Sequence, residues 1–238
     1  MIFKKYGFYN LKEKQLEEYY EKEGFKFSLN DYYIGVYQYY SSHACRIAVI
    51  KKWLNQIKKN ETFFEAGCAF GYFTHFMAKK GIESTGIDLS NNKIKIARYI
   101  ANRNELNCHF YKMNIQNIEF EDDSFDWILN TQVLEHVPDD TKALSEIYRI
   151  TKKYAIITVP KKGSFWDFLH STSNIRGFDK PGHGHLREYT AKNIIKKVKK
   201  VGFKIYKIKF AGFISPRVDL IFRYIPFMQA ITCLLLKK

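Results

Sequence analysis

The sequence predicts an α/β protein, a mostly parallel sheet with helices on both faces, preceded by a helical N-terminal region. Three observations point there. From Thr62 onward, short apolar runs of strand length alternate with amphipathic stretches of helical period. Alternation at this spacing builds parallel strands joined by right-handed crossovers. The first apolar run ends in a small-residue turn, Gly67-Cys68-Ala69-Phe70-Gly71, which opens a helix. With 238 residues, 46 % of them hydrophobic, the chain can bury a core without a disulfide or a structural metal.

Residues 1–60 read as helical and rich in tyrosine, with Ile47, Ile50, Trp53, Leu54 and Ile57 at helical spacing. They form a cap or lid running into the first helix of a larger domain over 61–238. Strands are expected at Thr62–Ala66, Ile82–Ile87, Cys108–Met113, Phe125–Asn130 and Tyr154–Val159, and helices at Tyr72–Lys80, Asn92–Asn104 and Asp139–Ile150. The last of these is capped by Asp139 or Asp140. Residues 62–160 form the motif-bearing core. Residues 161–190, with their Gly, Ser and His, form a long insert of the kind that carries function. In 191–238, Thr190 caps a helix with Ile194, Ile195, Val198 and Val201 inward and lysines outward. Then come a strand at Lys204–Phe210, a helix over Pro216–Gln229 broken near Pro226, and a last strand at Ile231–Leu236.

The formal charge, 39 basic against 24 acidic residues, is +15 and is spread in lysine doublets along the chain. It favours phosphate-bearing partners: nucleotides, RNA or an anionic membrane face. Cys45, Cys68, Cys108 and Cys233 lie far apart with no CxxC pair, so a reducing cytoplasm is expected. The N-terminus has no apolar signal core. The uncharged stretch Tyr224–Leu236 is thirteen residues long, where a membrane span needs about twenty. Its end, Ile231–Leu236, reads as a buried strand. Its second reading is an interfacial segment that, with the Lys-rich 192–209, holds the chain peripherally at an anionic membrane.

Gly67 and Gly71 permit a sharp turn and close backbone approach. Gly86-Ile87-Asp88 places an acid at the end of the next strand, 21 residues past Gly67, where its carboxylate can accept both hydroxyls of a ribose. The middle position is Ala69 and the Gly-x-Gly-x-x-Gly spacing is missing, which argues against a nicotinamide-dependent dehydrogenase.

Residues Glu65 to Val159 resemble the class I S-adenosylmethionine-dependent methyltransferases of the type-11 and ubiquinone-biosynthesis-like kind. The resemblance is carried by Glu65-x-Gly67-x-Ala69-x-Gly71, by Asp88, and by Ser124-Phe125-Asp126-Trp127-Ile128. Val133-Leu134-Glu135-His136-Val137-Pro138 and Thr158-Val159-Pro160 complete it. It implies a Rossmann-like class I methyltransferase fold with a seven-stranded, mostly parallel sheet. It also implies S-adenosyl-L-methionine as cofactor and S-adenosyl-L-homocysteine as product. The implied cofactor residues are Glu65, Gly67, Cys68, Ala69, Gly71, Asp88, Leu89, Asn114, Ile115 and Asn130, with the Asn114 side-chain oxygen receiving the adenine amino group.

Transfer to an oxygen requires a base to take the proton, or a metal that lowers its pKa. His136, His183 and His185 are the candidate bases. Gln132, Glu135 and His136 have the i, i+3, i+4 spacing of one helical turn. They are similar to the Glu-x-x-Glu-His metal site of small-RNA ribose methyltransferases, which makes Glu135, His136 and His185 a divalent-metal alternative. Arg187 and Glu188 are read as acceptor-binding groups or as a surface pair. The leading expectation is O-methylation of a small-molecule, lipid or sugar acceptor. RNA methylation and a non-catalytic cofactor-binding protein are the alternatives, and oligomeric state is left open.

Overall fold

The computed structural model describes residues 41–164, 186–212, 225, 229 and 231–238, all within the unit Tyr40–Lys238. The expected N-terminal cap before Ser41, the insert with His183 and His185, and the expected Pro216–Gln229 helix except Ile225 and Gln229 lie outside the described residues.

Helix α1 (Ser41–Leu54) leads into β1 (Thr62–Ala66), α2 (Tyr72–Ala78), β2 (Glu83–Asp88), α3 (Asn91–Arg103) and β3 (Cys108–Lys112). Then follow β4 (Phe125–Thr131), a 3-10 turn (Leu134–His136), α4 (Asp140–Ile150), β5 (Thr151–Pro160), α5 (Ala191–Lys200), β6 (Lys204–Ala211) and β7 (Ile231–Lys237). The seven strands form one sheet in the order β3-β2-β1-β4-β5-β7-β6. Neighbours from β3 through β5 pair parallel, and β7 runs antiparallel between β5 and β6. The sheet is therefore mixed, with a single reversed strand. Connections after β1 move toward one edge and those after β4 toward the other, so the order reverses between β1 and β4 and opens a crevice at their carboxyl ends.

The central strands are mostly apolar because both of their faces are covered. One face packs Phe64, Ile128, Ile157 and Leu234 against Leu144 and Ile147 of α4 and Ile194 and Val198 of α5. Ile94, Ala97 and Ala101 of α3 pack on Phe110, and α1 lies against β6 and β7. The capping residues read from the sequence are in place. The Asp139 carboxylate accepts from Thr141 N and Lys142 N, and Thr190 Oγ1 accepts from Asn193 N.

Strand β5 starts three residues earlier than Tyr154 and follows α4 with no loop. The polar Lys152-Lys153 pair hides this start in the sequence. Lys153 Nζ belongs to the strand because it bridges Glu61 Oε1 (2.8 Å) and Asp126 Oδ1 (2.9 Å) at the foot of the sheet. Asp126 also accepts from Thr62 N at 3.0 Å, tying β4 to β1.

The segment after the insert is bound tightly to the β4–α4 connection. Arg187 donates to the carbonyls of Leu134, Val137 and Pro138, and Leu186 N donates to Glu135 O at 2.8 Å. Buried Tyr189 donates from its hydroxyl to Asp140 Oδ2 at 2.6 Å, and Lys197 Nζ reaches Asp140 Oδ1 at 2.6 Å. Burial acts against the Asp140 charge, but the bonds from Lys197 and Tyr189 outweigh it and hold the carboxyl below its ordinary range. A Tyr189→Phe variant should lose about 2 kcal/mol, the worth of one hydrogen bond to a charged group. Its thermal midpoint should fall by roughly 4–8 °C. An unchanged midpoint would show that Lys197 alone satisfies Asp140.

Candidate cofactor and acceptor site

The loop after β1 turns three times through the left-handed region, at Gly67 (φ 81°), Ala69 (φ 48°) and Gly71 (φ 80°). Gly67 N and Cys68 N both donate to Ile87 O at 2.8 Å, which folds the loop over the end of β2. A Cβ on Gly67 would sit 2.5 Å from Val133 Cγ2, and one on Gly71 would sit 2.6 Å from the Phe110 ring. The glycine loop and the loop after β4 thus close on each other across the crevice. Replacing Gly67 by Ala should cost about 2–3 kcal/mol from the left-handed backbone and the overlap together. Val133→Ala in that background should restore the overlap share but not the backbone share. A denaturant-based double-mutant cycle reads the two apart, and simple additivity would mean that the loops do not touch.

Asp88 ends β2. Its Oδ2 accepts from Ala69 N and its Oδ1 from Ser90 N, both at 2.9 Å. Two backbone amides therefore fix the carboxylate, leaving its remaining lone pairs for a diol. Leu89 beside it is 67 % exposed, an apolar face next to that carboxylate. Asn114 is exposed, and its Oδ1 accepts from Gln116 N at 2.9 Å, so this oxygen turns the chain after β3 as well as facing solvent. Ile115 is buried in the core below. Asn130 is fully buried. Its Nδ2 donates to Ala66 O at 2.9 Å, while its Oδ1 has no hydrogen-bond partner among the described residues.

Glu65 is 2 % exposed and faces inward. Its Oε2 accepts from Thr74 N (2.8 Å) and Thr74 Oγ1 (2.6 Å), so the carboxyl holds the start of α2 under the glycine loop. Burial pushes it up to about 8, partly offset by the bonds from Thr74. Cys68 is buried, and burial pushes its thiol well up. The sequence reading did not include His75, which is buried in α2 with Nε2 2.9 Å from Ala97 O. Burial pushes it down to about 4, so it is a neutral core imidazole.

The helical alignment expected for Gln132, Glu135 and His136 does not form. Gln132 lies at φ 55°, before the 3-10 turn, and its backbone N–H donates to Thr158 O at 3.0 Å. Only Leu134–His136 is helical, with His136 exposed and Glu135 buried, so these two neighbours point apart. Among the described residues, no group of three His, Cys, Asp or Glu is arranged to hold a metal. Burial pushes Glu135 up to about 7, against the pull of its own backbone N–H and of the Arg46 guanidinium. Arg187 binds the three loop carbonyls. Glu188 pairs with Lys162 at 2.6 Å on the surface, so it is the surface-pair reading that holds for Glu188.

A crevice at the switch point, two left-handed glycines that a Cβ would block and an amide-fixed acid after β2 have the geometry that suits a nucleotide cofactor on a doubly wound sheet. The described residues fit such a cofactor: the Asp88 lone pairs and the unpartnered Asn130 Oδ1 both await donors. The family model described as a methyltransferase domain matches residues 64–159. That segment is a class I S-adenosylmethionine-dependent methyltransferase domain. The ubiquinone biosynthesis O-methyltransferase of Alkalilimnicola ehrlichii is 32 % identical over 89 residues, covering 37 % of this chain and 36 % of that protein. The chain spans about two-fifths of the length of the curated relatives it matches.

Among solved structures, the magnesium protoporphyrin IX methyltransferase of Synechocystis PCC 6803, with bound S-adenosylhomocysteine, is similar at a TM-score of 0.65 and 15 % identity. The match covers 95 % of this chain and 100 % of that one. The [4+2]-cyclase SpnF is similar at 0.64 and 16 % identity, covering 81 % of this chain and 80 % of that one. A cyclase on the same fold shows that the sheet alone does not dictate the reaction.

Proposed function

We propose that this chain is an S-adenosylmethionine-dependent methyltransferase acting on a hydroxyl of a small-molecule, lipid or sugar acceptor. The observation that carries the reading is Asp88, fixed by Ala69 N and Ser90 N beside the Gly67–Gly71 turn. The hydroxyl preference is supported by the O-methyltransferase names of the relatives matched over this domain. The bound cofactor supplies a methyl group already activated on a sulfonium. The chain's task is then to align the acceptor, where orientation effects reach roughly 7–11 kcal/mol.

In this reading Asp88 holds the ribose. Leu89, Ile115 and Asn114 frame the adenine, and the backbone from Gly67 to Gly71, with Cys68 and Ala69, approaches the rest of the cofactor. Glu65 supports the loop from beneath, and the Asn130 Oδ1, without a partner among the described residues, is free to accept from the cofactor. His136, exposed after β4, takes the acceptor proton, with His183 and His185 as further candidates. The lysines of α5 and β6 support peripheral contact at an anionic membrane, and the four dispersed cysteines support a cytoplasmic location. Among the described residues no helix is long and apolar enough to cross one.

The test is transfer of radiolabelled methyl from S-adenosylmethionine into an extract of the source cells, with and without chelator, followed by fractionation. Label in the organic or small-molecule fraction that is insensitive to chelator is expected. Label in RNA that disappears with chelator would replace this reading with metal-assisted ribose methylation.

A further inference from the structure

Five acids are buried among the described residues: Glu61, Glu65, Asp126, Glu135 and Asp140. Four have at least two hydrogen-bond donors each. Glu61 takes Lys58 N, Trp127 Nε1 and Lys153; Glu65 takes Thr74 twice; Asp126 takes Thr62 N and Lys153; Asp140 takes Tyr189 and Lys197. Glu135 differs from all of them. It is 1 % exposed, and neither Oε1 nor Oε2 accepts a hydrogen bond from another described residue. Its own backbone N–H and the Arg46 guanidinium offset the desolvation cost of this carboxyl only in part, so burial still dominates.

The turn that holds it is rigid. Leu186 N binds Glu135 O itself, Arg187 binds the carbonyls of Leu134, Val137 and Pro138, and the Tyr189 hydroxyl lies 3.3 Å from Leu134 O. The place is also specific. Val133, two residues earlier, closes on Gly67, so Glu135 sits at most about 7 Å of chain beyond the wall of the cofactor crevice. A clamped turn that keeps an unpartnered acceptor inside the protein, at the carboxyl end of β4, is a preorganised binding group.

We propose that Glu135 binds the methyl acceptor, accepting a hydrogen bond from a neutral hydroxyl of that molecule. The Arg46 guanidinium already acts on this carboxyl from α1, so a second cation such as an ammonium is disfavoured and an uncharged O–H donor fits. The proposal rests on the methyl-transfer reading above.

The full chain and its Glu135→Leu and Glu135→Gln variants test it with three readouts: thermal midpoint, affinity for S-adenosylhomocysteine by calorimetry, and labelled methyl transfer into the small-molecule extract. No hydrogen bond from another described residue to the Glu135 carboxyl is lost in either variant. Both should therefore keep their midpoints within a few degrees and bind S-adenosylhomocysteine within about threefold of wild type. Transfer should fall at least 100-fold in Glu135→Leu. In Glu135→Gln, whose amide oxygen still accepts a hydrogen bond, it should fall about tenfold. Transfer within threefold of wild type in Glu135→Leu overturns the proposal. So does a collapse of stability and cofactor affinity together, which would make Glu135 a structural group. A wild type that binds S-adenosylhomocysteine but labels no fraction overturns the methyl-transfer reading itself, an outcome distinct from either.

Discussion

Replacing Asp88 by Ala is expected to weaken S-adenosylhomocysteine binding at least 100-fold. Two charge-assisted bonds to ribose hydroxyls contribute roughly 1.5–3 kcal/mol each, and the variant loses both. It also loses the acceptor for Ala69 N and Ser90 N, so the glycine loop and the start of α3 are no longer tied to the end of β2. Asp88→Asn separates these contributions. Its single side-chain oxygen can keep one backbone amide or one hydroxyl, and an intermediate loss of about tenfold follows. Calorimetry at fixed salt measures both variants, with thermal midpoints as control. Binding within threefold of wild type in Asp88→Ala would remove Asp88 from the cofactor site.

The second large effect is a loss of stability with rising pH that originates at Glu65. Burial raises this carboxyl from its ordinary 4.5 to about 8, so the folded protein holds a proton that the unfolded chain has released over most of that range. The contribution is complete below about pH 4.5 and is lost as pH rises through 8, the reverse of an ion-paired carboxylate. Across the window it amounts to roughly 3–5 kcal/mol. Glu65→Gln keeps an oxygen for Thr74 N and Thr74 Oγ1 but does not titrate. Its urea midpoint should therefore stay nearly level between pH 5 and 8.5 while that of wild type falls. Parallel curves for the two proteins would mean that Glu65 is ionised in the folded state and finds a further partner.

Much of the fold was legible in the chain. The five runs from Thr62 to Val159 became β1 to β5; the central strands stand out because parallel strands buried on both faces are mostly apolar, while the edge strand β3 is more polar and shows only its Phe110 inward. Asp139 and Thr190 announced their helices, since a cap needs only a short polar side chain beside a few amides. Lys152-Lys153 hid the start of β5, because a strand position that carries a distant ion pair looks like a loop. Gln132 misled in the other direction. Its spacing to Glu135 and His136 suits a helix, but a left-handed turn at the end of β4 breaks the register.

What the sequence determined by itself was the proposed cofactor side: Gly67, Gly71 and Asp88 are local requirements of backbone shape and strand length, and they can be read in order along the chain. Only the tertiary structure decided which polar groups are satisfied. Arg187, drawn from the far side of the insert, spends its guanidinium on three carbonyls of the β4–α4 connection, and Glu188 meets Lys162 at the surface. Glu135 is left buried without a hydrogen bond from any other described residue, and its neighbour His136 faces out. Burial and hydrogen bonding depend on segments distant in sequence, so the chemistry of the acceptor side emerges only when those segments meet.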